Sequence, residues 1–310
     1  MTQRAAIILA AGQGTRMKSD LPKVMHKIAG RAMIDWSIAC AQSVGCETII
    51  VVCSPSGVAV RDHVTAQLGP DAIVLQDPPL GTGHAVGCAR SALAGFEGDI
   101  VVLYGDTPLI PAQALEDLFR ELASGARVGI LGFEAEKPGD YGRLITNASG
   151  GLDAIVEAKD ADPEERAIRL CNSGVLAAPC KDLFALLSKV TNDNAKGEYY
   201  LTDIVGLARA ETAQCTVVTC KEADVLGVNS REDLAKAEAA YQARCRKQAL
   251  RSGVTLQAPN TVYCAYDTQI APDVIIEPHI VLGLALRSKQ AAGYVPFHIW
   301  KARMWVQAAR

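Results

Sequence analysis

The sequence predicts an α/β fold, followed by a helical arm and the start of a left-handed β-helix. Over residues 5–123, apolar β-branched runs alternate with helical stretches of about ten residues, the pattern of a mostly parallel sheet with helices on both faces. Near residue 230 a serine opens a long helical stretch. Over residues 253–283, apolar residues recur every six positions, the period of a β-helix coil with three short strands per turn.

Residues 5–11 are too short an apolar run to span a membrane and read as a buried strand. The run breaks into Gly12-Gln13-Gly14-Thr15-Arg16, a turn whose backbone amides can approach a ligand closely. Arg16, Lys18 and Lys23 follow within eight residues. Strand, glycine turn and cations in that order describe a phosphate site at the carboxyl end of a strand. A dinucleotide fingerprint would need glycine in place of Met17, and a Walker A loop would need G-K-[ST]; neither is present. Helices are expected over 33–44, 58–68, 84–93 and 112–123, and strands over 48–53, 72–76 and 99–104.

Beyond Arg127, shorter strands and acidic turns suggest a substrate-facing lobe. Ser230-Arg231-Glu232-Asp233 has capping-box logic, the serine oxygen taking an orphan amide and Asp233 sitting in the positive first turn. Leu234, Ala237, Tyr241 and Cys245 carry the apolar stripe of this helix to about Leu250. Ile270, Ile276 and Leu282, and with them Thr268, Val274 and Ile280, keep the period of six. After Gly283 the period stops, and residues 284–310 hold five Lys/Arg, no acid and two of the three tryptophans. That tail is compositionally foreign to what precedes it; as an alternative to a truncated repeat it fits a short amphipathic helix docking on the main domain or, less expected, on a membrane surface.

The 310 residues, 49% hydrophobic and 21% charged, suit a globular protein with one large domain and a smaller unit. A formal charge of −3 gives no global basic field, so nucleic acid is not expected as a partner. No stretch reaches the roughly 18 apolar residues of a membrane span, and no signal peptide is evident, so the chain is expected to be cytoplasmic. The ten cysteines show neither C-x-x-C nor zinc spacing and read as small buried hydrophobes in a reducing compartment.

Three groups of residues carry candidate chemistry. Gln76 to Ala85, QDPPLGTGHA, sets a side-chain amide beside a glycine turn, as reading a pyrimidine edge requires; the same string also fits an ordinary loop capped by Thr82. His84 in that string is given no catalytic role. Tyr104-Gly105-Asp106-Thr107-Pro108 ends a strand with a carboxylate placed to hold Mg²⁺ against phosphates, or to cap a turn. Asn229, before the capped helix, either caps locally or offers a second hard oxygen. Tyr141-Gly142-Arg143, Glu157, Lys159, Asn172-Ser173-Gly174 and Glu198-Tyr199-Tyr200-Leu201-Thr202-Asp203 are polar clusters beside short apolar runs.

In sequence order, the blocks L-A-A-G-x-G-T-R-M, L-P-K, Q-x4-G-T-G-H-A, Y-G-D-x-P-L, Y-G-R, V-E-x-K-D, N-S-G, E-Y-Y-L-T-D and G-V-N-S-R-x-D-L-A resemble the uridylyltransferase half of the bacterial bifunctional enzymes that make UDP-N-acetylglucosamine. The resemblance is dense over residues 5–250 and covers 251–283 as the start of the acetyltransferase β-helix. It implies a Rossmann-like, GT-A-like mixed sheet flanked by helices over 1–229, a linker helix over 230–252, an incomplete β-helix over 253–283 and a non-repeat tail over 284–310. It implies reaction of UTP with N-acetylglucosamine 1-phosphate, giving UDP-N-acetylglucosamine and pyrophosphate with Mg²⁺ as cofactor, for bacterial envelope precursors. Leu9, Ala10, Ala11, Gly12 and Gly14 would then line the uridine and phosphate pocket, with Gln76, Gly81 and Thr82 on the uracil. Arg16 and Lys23 would hold the triphosphate, and Asp106 and Asn229 the metal. Gly142, Glu157 and Asn172, with Tyr104, Gly105 and Thr82, would hold the amino sugar.

The family's β-helix runs through many more coils, carries the acetyl-transfer site and trimerises. Because the repeat stops after Gly283, the expectation is a truncated or frame-shifted member without acetyl transfer and without the stable trimer. Two rivals stand beside this reading. One is a nucleotidyltransferase for another base or sugar; the other is a non-catalytic nucleotide-sugar-binding regulatory protein, which predicts loss of Arg16, Lys23 or Asp106, all of which are present.

Overall fold

A computed structural model describes residues 2–148, 150–194 and 196–284. The chain opens with β1 (Arg4–Leu9), makes a small hairpin of β2 (Lys27–Ile28) and β3 (Arg31–Ala32), and then alternates. The order is α1 (Met33–Ser43), β4 (Cys46–Cys53), α2 (Val58–Leu68), β5 (Ile73–Leu75), α3 (Thr82–Cys88), β6 (Asp99–Tyr104), α4 (Ala112–Ala123) and β7 (Val128–Glu134). Then come β8 (Arg143–Thr146), β9 (Leu152–Val156), α5 (Pro163–Ala167), β10 (Leu170–Pro179), α6 (Cys180–Leu187), α7 (Asp203–Ala210) and β11 (Cys215–Cys220). The chain continues with α8 (Arg231–Arg251) and four two-residue strands: β12 (Thr255–Leu256), β13 (Tyr263–Cys264), β14 (Ile275–Ile276) and β15 (Val281–Leu282).

Two compact units result: residues up to Met25 together with Met33–Asn229, and His26–Ala32 together with the chain from Ser230 onward. In the first, the sheet order is β11-β7-β10-β6-β1-β4-β5, with β8 and β9 attached beside β10. The run β6-β1-β4-β5 is parallel, as the alternation predicts. The sheet as a whole is mixed because β10 runs antiparallel between β6 and β7. β1 explains why an unbroken apolar run is needed at its centre: Ala5 and Ile7 join a core with Val86 of α3, Leu183 of α6 and Ile204 of α7. Ala6 and Ile8, on the opposite face, are equally buried. A strand covered on both faces has no polar side to show.

Several boundaries shift from expectation. The third helix spans Thr82–Cys88 rather than 84–93; Ala89, Arg90 and Leu93 continue as hydrogen-bonded turns. Its N-cap is Gly81, and Thr82 does not cap it, because the Thr82 hydroxyl instead accepts from the Leu201 amide at 3.0 Å. β1 ends at Leu9, two residues before the apolar run does. The strand expected at 72–76 is Ile73–Leu75, since Pro70–Ala72 coils into a 3-10 turn. All ten cysteines are free, and burial pushes Cys40 and Cys46 up to about 12, as expected of thiols acting as small hydrophobes.

In the second unit, Ser230 and Asp233 form a full capping box at the start of α8. Parallel pairing joins Tyr263 to Val281, three hexads on, and Thr255 to Ile275. Leu256, Val262, Cys264, Ile276 and Leu282 point into a small core, with Ile270, Val274 and Ile280 packed on it. The hairpin at 26–32 belongs here too: the Ala29 amide donates to Glu238 at 2.7 Å, and Ala29's carbonyl accepts from the Tyr266 amide at 2.9 Å. No periodicity announced that membership. The reading of the basic tail at 284–310 falls, past Leu284, outside the described residues.

Gln242, only 2% exposed, sits on α8 among apolar neighbours. Its amide is satisfied at both ends: Nε2 donates to the Cys264 carbonyl at 2.8 Å, and Oε1 accepts from the Cys264 amide at 2.7 Å. Gln242 thus stands in for a missing strand. Gln242→Leu strips both Cys264 backbone groups of their partner and is expected to destabilise this unit by about 2–4 kcal/mol. Urea denaturation followed by far-ultraviolet circular dichroism measures it.

Candidate active site

The site is built at the carboxyl ends of β1 and β6. The Leu9 carbonyl accepts from the Gly105 amide at 3.0 Å, so the glycine turn and the Y-G-D segment start side by side. A Cβ on Gly12 would meet nothing within 4 Å, leaving its backbone open to a ligand. Thr15–Met17 coils into a 3-10 turn whose anchor is the buried Met17. Gly14 is left-handed with φ 64°, and a Cβ there would stand 2.5 Å from Cβ of Lys23. Both facts demand glycine.

The close approach at Gly14 brings Lys23 across the turn. A second 3-10 turn, Lys23–Met25, begins just after Pro22, and its buried Val24 packs beside Gly105. The Lys23 amine then donates to Asp106 Oδ2, forming an ion pair, and to Asn229 Oδ1 at 2.9 Å. The Val228 amide donates to the Asp106 carbonyl at 2.9 Å, holding Asn229 next to that carboxylate. Three distant stretches of sequence converge on one ammonium group.

A second group gathers where β8, β9 and β10 meet. Arg143 pairs with Val156 across β8 and β9, which sets Gly142 opposite Glu157. The Asn172 amide donates to the Gly142 carbonyl at 2.8 Å. Thr202 reaches in as well, its hydroxyl 3.4 Å from Glu157 Oε1. The Tyr104 phenol faces this cluster: burial, and then the charges of Asp106 and Glu157, push its pKa above the usual tyrosine range.

The third group is the loop before α3. Gln76, 6% exposed, donates from Nε2 to the Gly81 carbonyl at 2.9 Å. Gly81 has φ 107°, and a Cβ on it would strike the Tyr199 carbonyl at 2.6 Å. That contact accompanies a backbone zipper: Tyr199 amide to Leu80 carbonyl and Gly83 amide to Tyr199 carbonyl, both 2.8 Å.

The MobA-like NTP transferase domain family matches residues 6–257. The chain belongs to that family. Among its relatives, the bifunctional protein GlmU of Hyphomonas neptunium is 58% identical over 285 residues, covering 91% of this chain and 61% of that protein. GlmU of Maricaulis maris is 59% identical over 268 residues, covering 86% and 59%. The chain therefore spans about three fifths of the length of the curated relatives it matches. Two solved structures share its fold. The inositol-1-phosphate CTP transferase of T. maritima aligns with a TM-score of 0.62 at 18% identity, over 77% of this chain and 95% of that one. The UDP-glucose pyrophosphorylase of Acinetobacter baumanii aligns at 0.61 and 22%, over 80% and 96%.

The structure gathers Lys23, Asp106 and Asn229 into one cluster and Gly142, Glu157 and Asn172 into another. Leu9 and Gly105 touch through their backbones, as do Gln76 and Gly81 through the amide. Arg16 is not joined to them: it is exposed, and among the described residues it makes no hydrogen bond or ion pair. Asn229 does not cap α8, since Ser230 does. No group of three His, Cys, Asp or Glu side chains suited to a metal occurs among the described residues, so Asp106 and Asn229 stand as two oxygen donors only. Thr202 and the Tyr199 backbone had no assigned part in the sequence reading, though the E-Y-Y-L-T-D block contained them.

Two outcomes follow from this geometry. Gly14→Ala adds a Cβ inside contact distance of Lys23 and strains a left-handed position by roughly 1–2 kcal/mol, so kcat/KM should fall about tenfold or more with the circular dichroism spectrum unchanged. The raised phenol of Tyr104 has a clear sign: the folded chain keeps a proton that the unfolded chain releases near pH 10. Stability from that group is complete below pH 10 and declines as pH rises above it. Titration at 295 nm should show no Tyr104 step near pH 10 when wild type is compared with Tyr104→Phe.

Proposed function

We propose that the chain is a Mg²⁺-dependent uridylyltransferase, joining UTP and N-acetylglucosamine 1-phosphate to give UDP-N-acetylglucosamine and pyrophosphate in the cytoplasm. The observation that carries this reading is the ammonium of Lys23 bracketed by Asp106 and Asn229 beside an open glycine turn. The resemblance of the ordered sequence blocks to uridylyltransferases supports the base and sugar assigned. Asp106 Oδ2 and Asn229 Oδ1 fit a magnesium ion: both are hard oxygens, and they already converge on one cation. Magnesium held there supplies neutralisation of phosphate charge.

The chain's own residues do the rest. The attacking sugar phosphate oxygen is already an anion, so displacement at the α-phosphorus needs no general base; it needs in-line positioning and relief of anion–anion repulsion. The amides of the turn from Gly12 to Gly14 cradle the triphosphate. Lys23, released from Asp106 as phosphate enters, stabilises the developing pyrophosphate, and the unengaged Arg16 closes over it. Gln76, with Gly81 and Thr82, faces the uracil. Glu157 and Asn172, supported by Gly142 and Thr202, orient the sugar by its hydroxyl and amide groups.

The test is pyrophosphate release from UTP and N-acetylglucosamine 1-phosphate, with wild type beside Asp106→Ala. Metal-dependent release, abolished by chelator and reduced about 10²–10³-fold in the variant, is expected. Intact UTP binding without release would overturn the reading in favour of a different sugar phosphate or a regulatory protein.

A further inference from the structure

We propose that His84 is a positioning residue: it fixes the orientation of the Gln76 amide and thereby makes the site select a pyrimidine carrying a ring N3–H. The proposal rests on the reading above that Gln76 faces the base. A glutamine amide is a poor discriminator unless something holds it, because a half-turn about its last bond exchanges a donor for an acceptor. Here one end is held. Nε2 lies 2.9 Å from the Gly81 carbonyl and 3.3 Å from Nδ1 of His84. Both hydrogens of the amide thus have an inward acceptor, and among the described residues Oε1 has no hydrogen-bond partner.

Each part of the clamp is anchored elsewhere. The backbone N–H of Gln76 donates to the Cys53 carbonyl at the end of β4, at 2.9 Å. The Gly81 carbonyl lies in the stretch zipped to Tyr199. His84 rides on α3, flanked by the buried Gly83, Ala85 and Val86. Its Nε2 lies 4.0 Å from the Cys88 sulfur one turn on, a contact too weak to choose the tautomer; the Gly81 carbonyl, which can only accept, commits Nε2 of Gln76 as donor and so asks Nδ1 of His84 to carry the lone pair. That tautomer is the one that can accept from Gln76. Turning the amide over would set Oε1 against a carbonyl oxygen and a ring lone pair at once.

With Nε2 committed, the group left for the nucleotide is an acceptor. Uracil and thymine present a ring N3–H to such an oxygen, whereas cytosine presents a bare N3 lone pair, which repels it. His84 thus acts on base choice without touching the base.

The experiment compares kcat/KM for UTP and CTP, each with Mg²⁺ and N-acetylglucosamine 1-phosphate, in the full chain. His84→Leu and His84→Ala remove the acceptor; His84→Asn returns an oxygen close to the place of Nδ1. Loss of one hydrogen bond should lower the UTP:CTP ratio about three- to tenfold in the Leu and Ala variants, while Asn stays within about twofold of wild type. A loss of packing alone would slow both nucleotides equally. A wild type that prefers UTP by a ratio unmoved in both truncations, or moved as much in Asn, overturns the role of His84 alone. A wild type that turns over no UTP overturns the uridylyl reading and this inference with it.

Discussion

One ammonium group organises the first unit. Lys23 bonds Asp106, 83 residues on, and Asn229, 206 residues on. An ion pair so placed contributes little to stability, because both partners lose much of their hydration. What it supplies is register. The second 3-10 turn, the end of β6 and the loop before α8 each have a side chain in it, so no one of the three segments can drift without breaking a bond to the ammonium. A cation there also keeps two oxygens aimed at a common point, which is the preorganisation that phosphate chemistry needs.

The sheet serves that convergence. Parallel strands β1, β4, β5 and β6 put their carboxyl ends at one edge, and the loops leaving them carry the glycine turn, Gln76 and Asp106. The antiparallel β10 changes the geometry beside them. It brings Asn172 against Gly142 from the opposite chain direction and so lets β8 and β9 present Glu157. The parallel half thus carries the phosphate and base groups, and the antiparallel half the second polar cluster.

Much of this was legible in the sequence. Strands buried on both faces are unbroken apolar runs, so β1, β4 and β6 could be read directly, as could the capped α8. Gly14 and Lys23 were legible as a turn and a nearby cation. Their contact was not, because it depends on a left-handed residue and on Val24 seating by Gly105. The antiparallel direction of β10 was invisible to alternation, since an apolar strand reads alike in either direction. Gln242 was read past for a similar reason: a polar residue on a helix stripe looks like a break in the stripe, and only tertiary structure shows its two backbone partners. Thr82 misled because a threonine before a helix is usually a cap, and here the Leu201 amide, in the turn before α7, claims its oxygen.

The small hairpin at 26–32 has a consequence for synthesis. It emerges from the ribosome early, yet its partners within its own unit, Glu238 and Tyr266, emerge more than two hundred residues later. Until then its strands lack those two contacts, and two residues a side do not by themselves hold a hairpin in water. The segment between Lys23 and α1 therefore waits, as an unfinished loop, for most of translation. Nascent chains shorter than about the length of the first unit carry that loop open, which makes it the place where chaperones or proteases would first find this polypeptide.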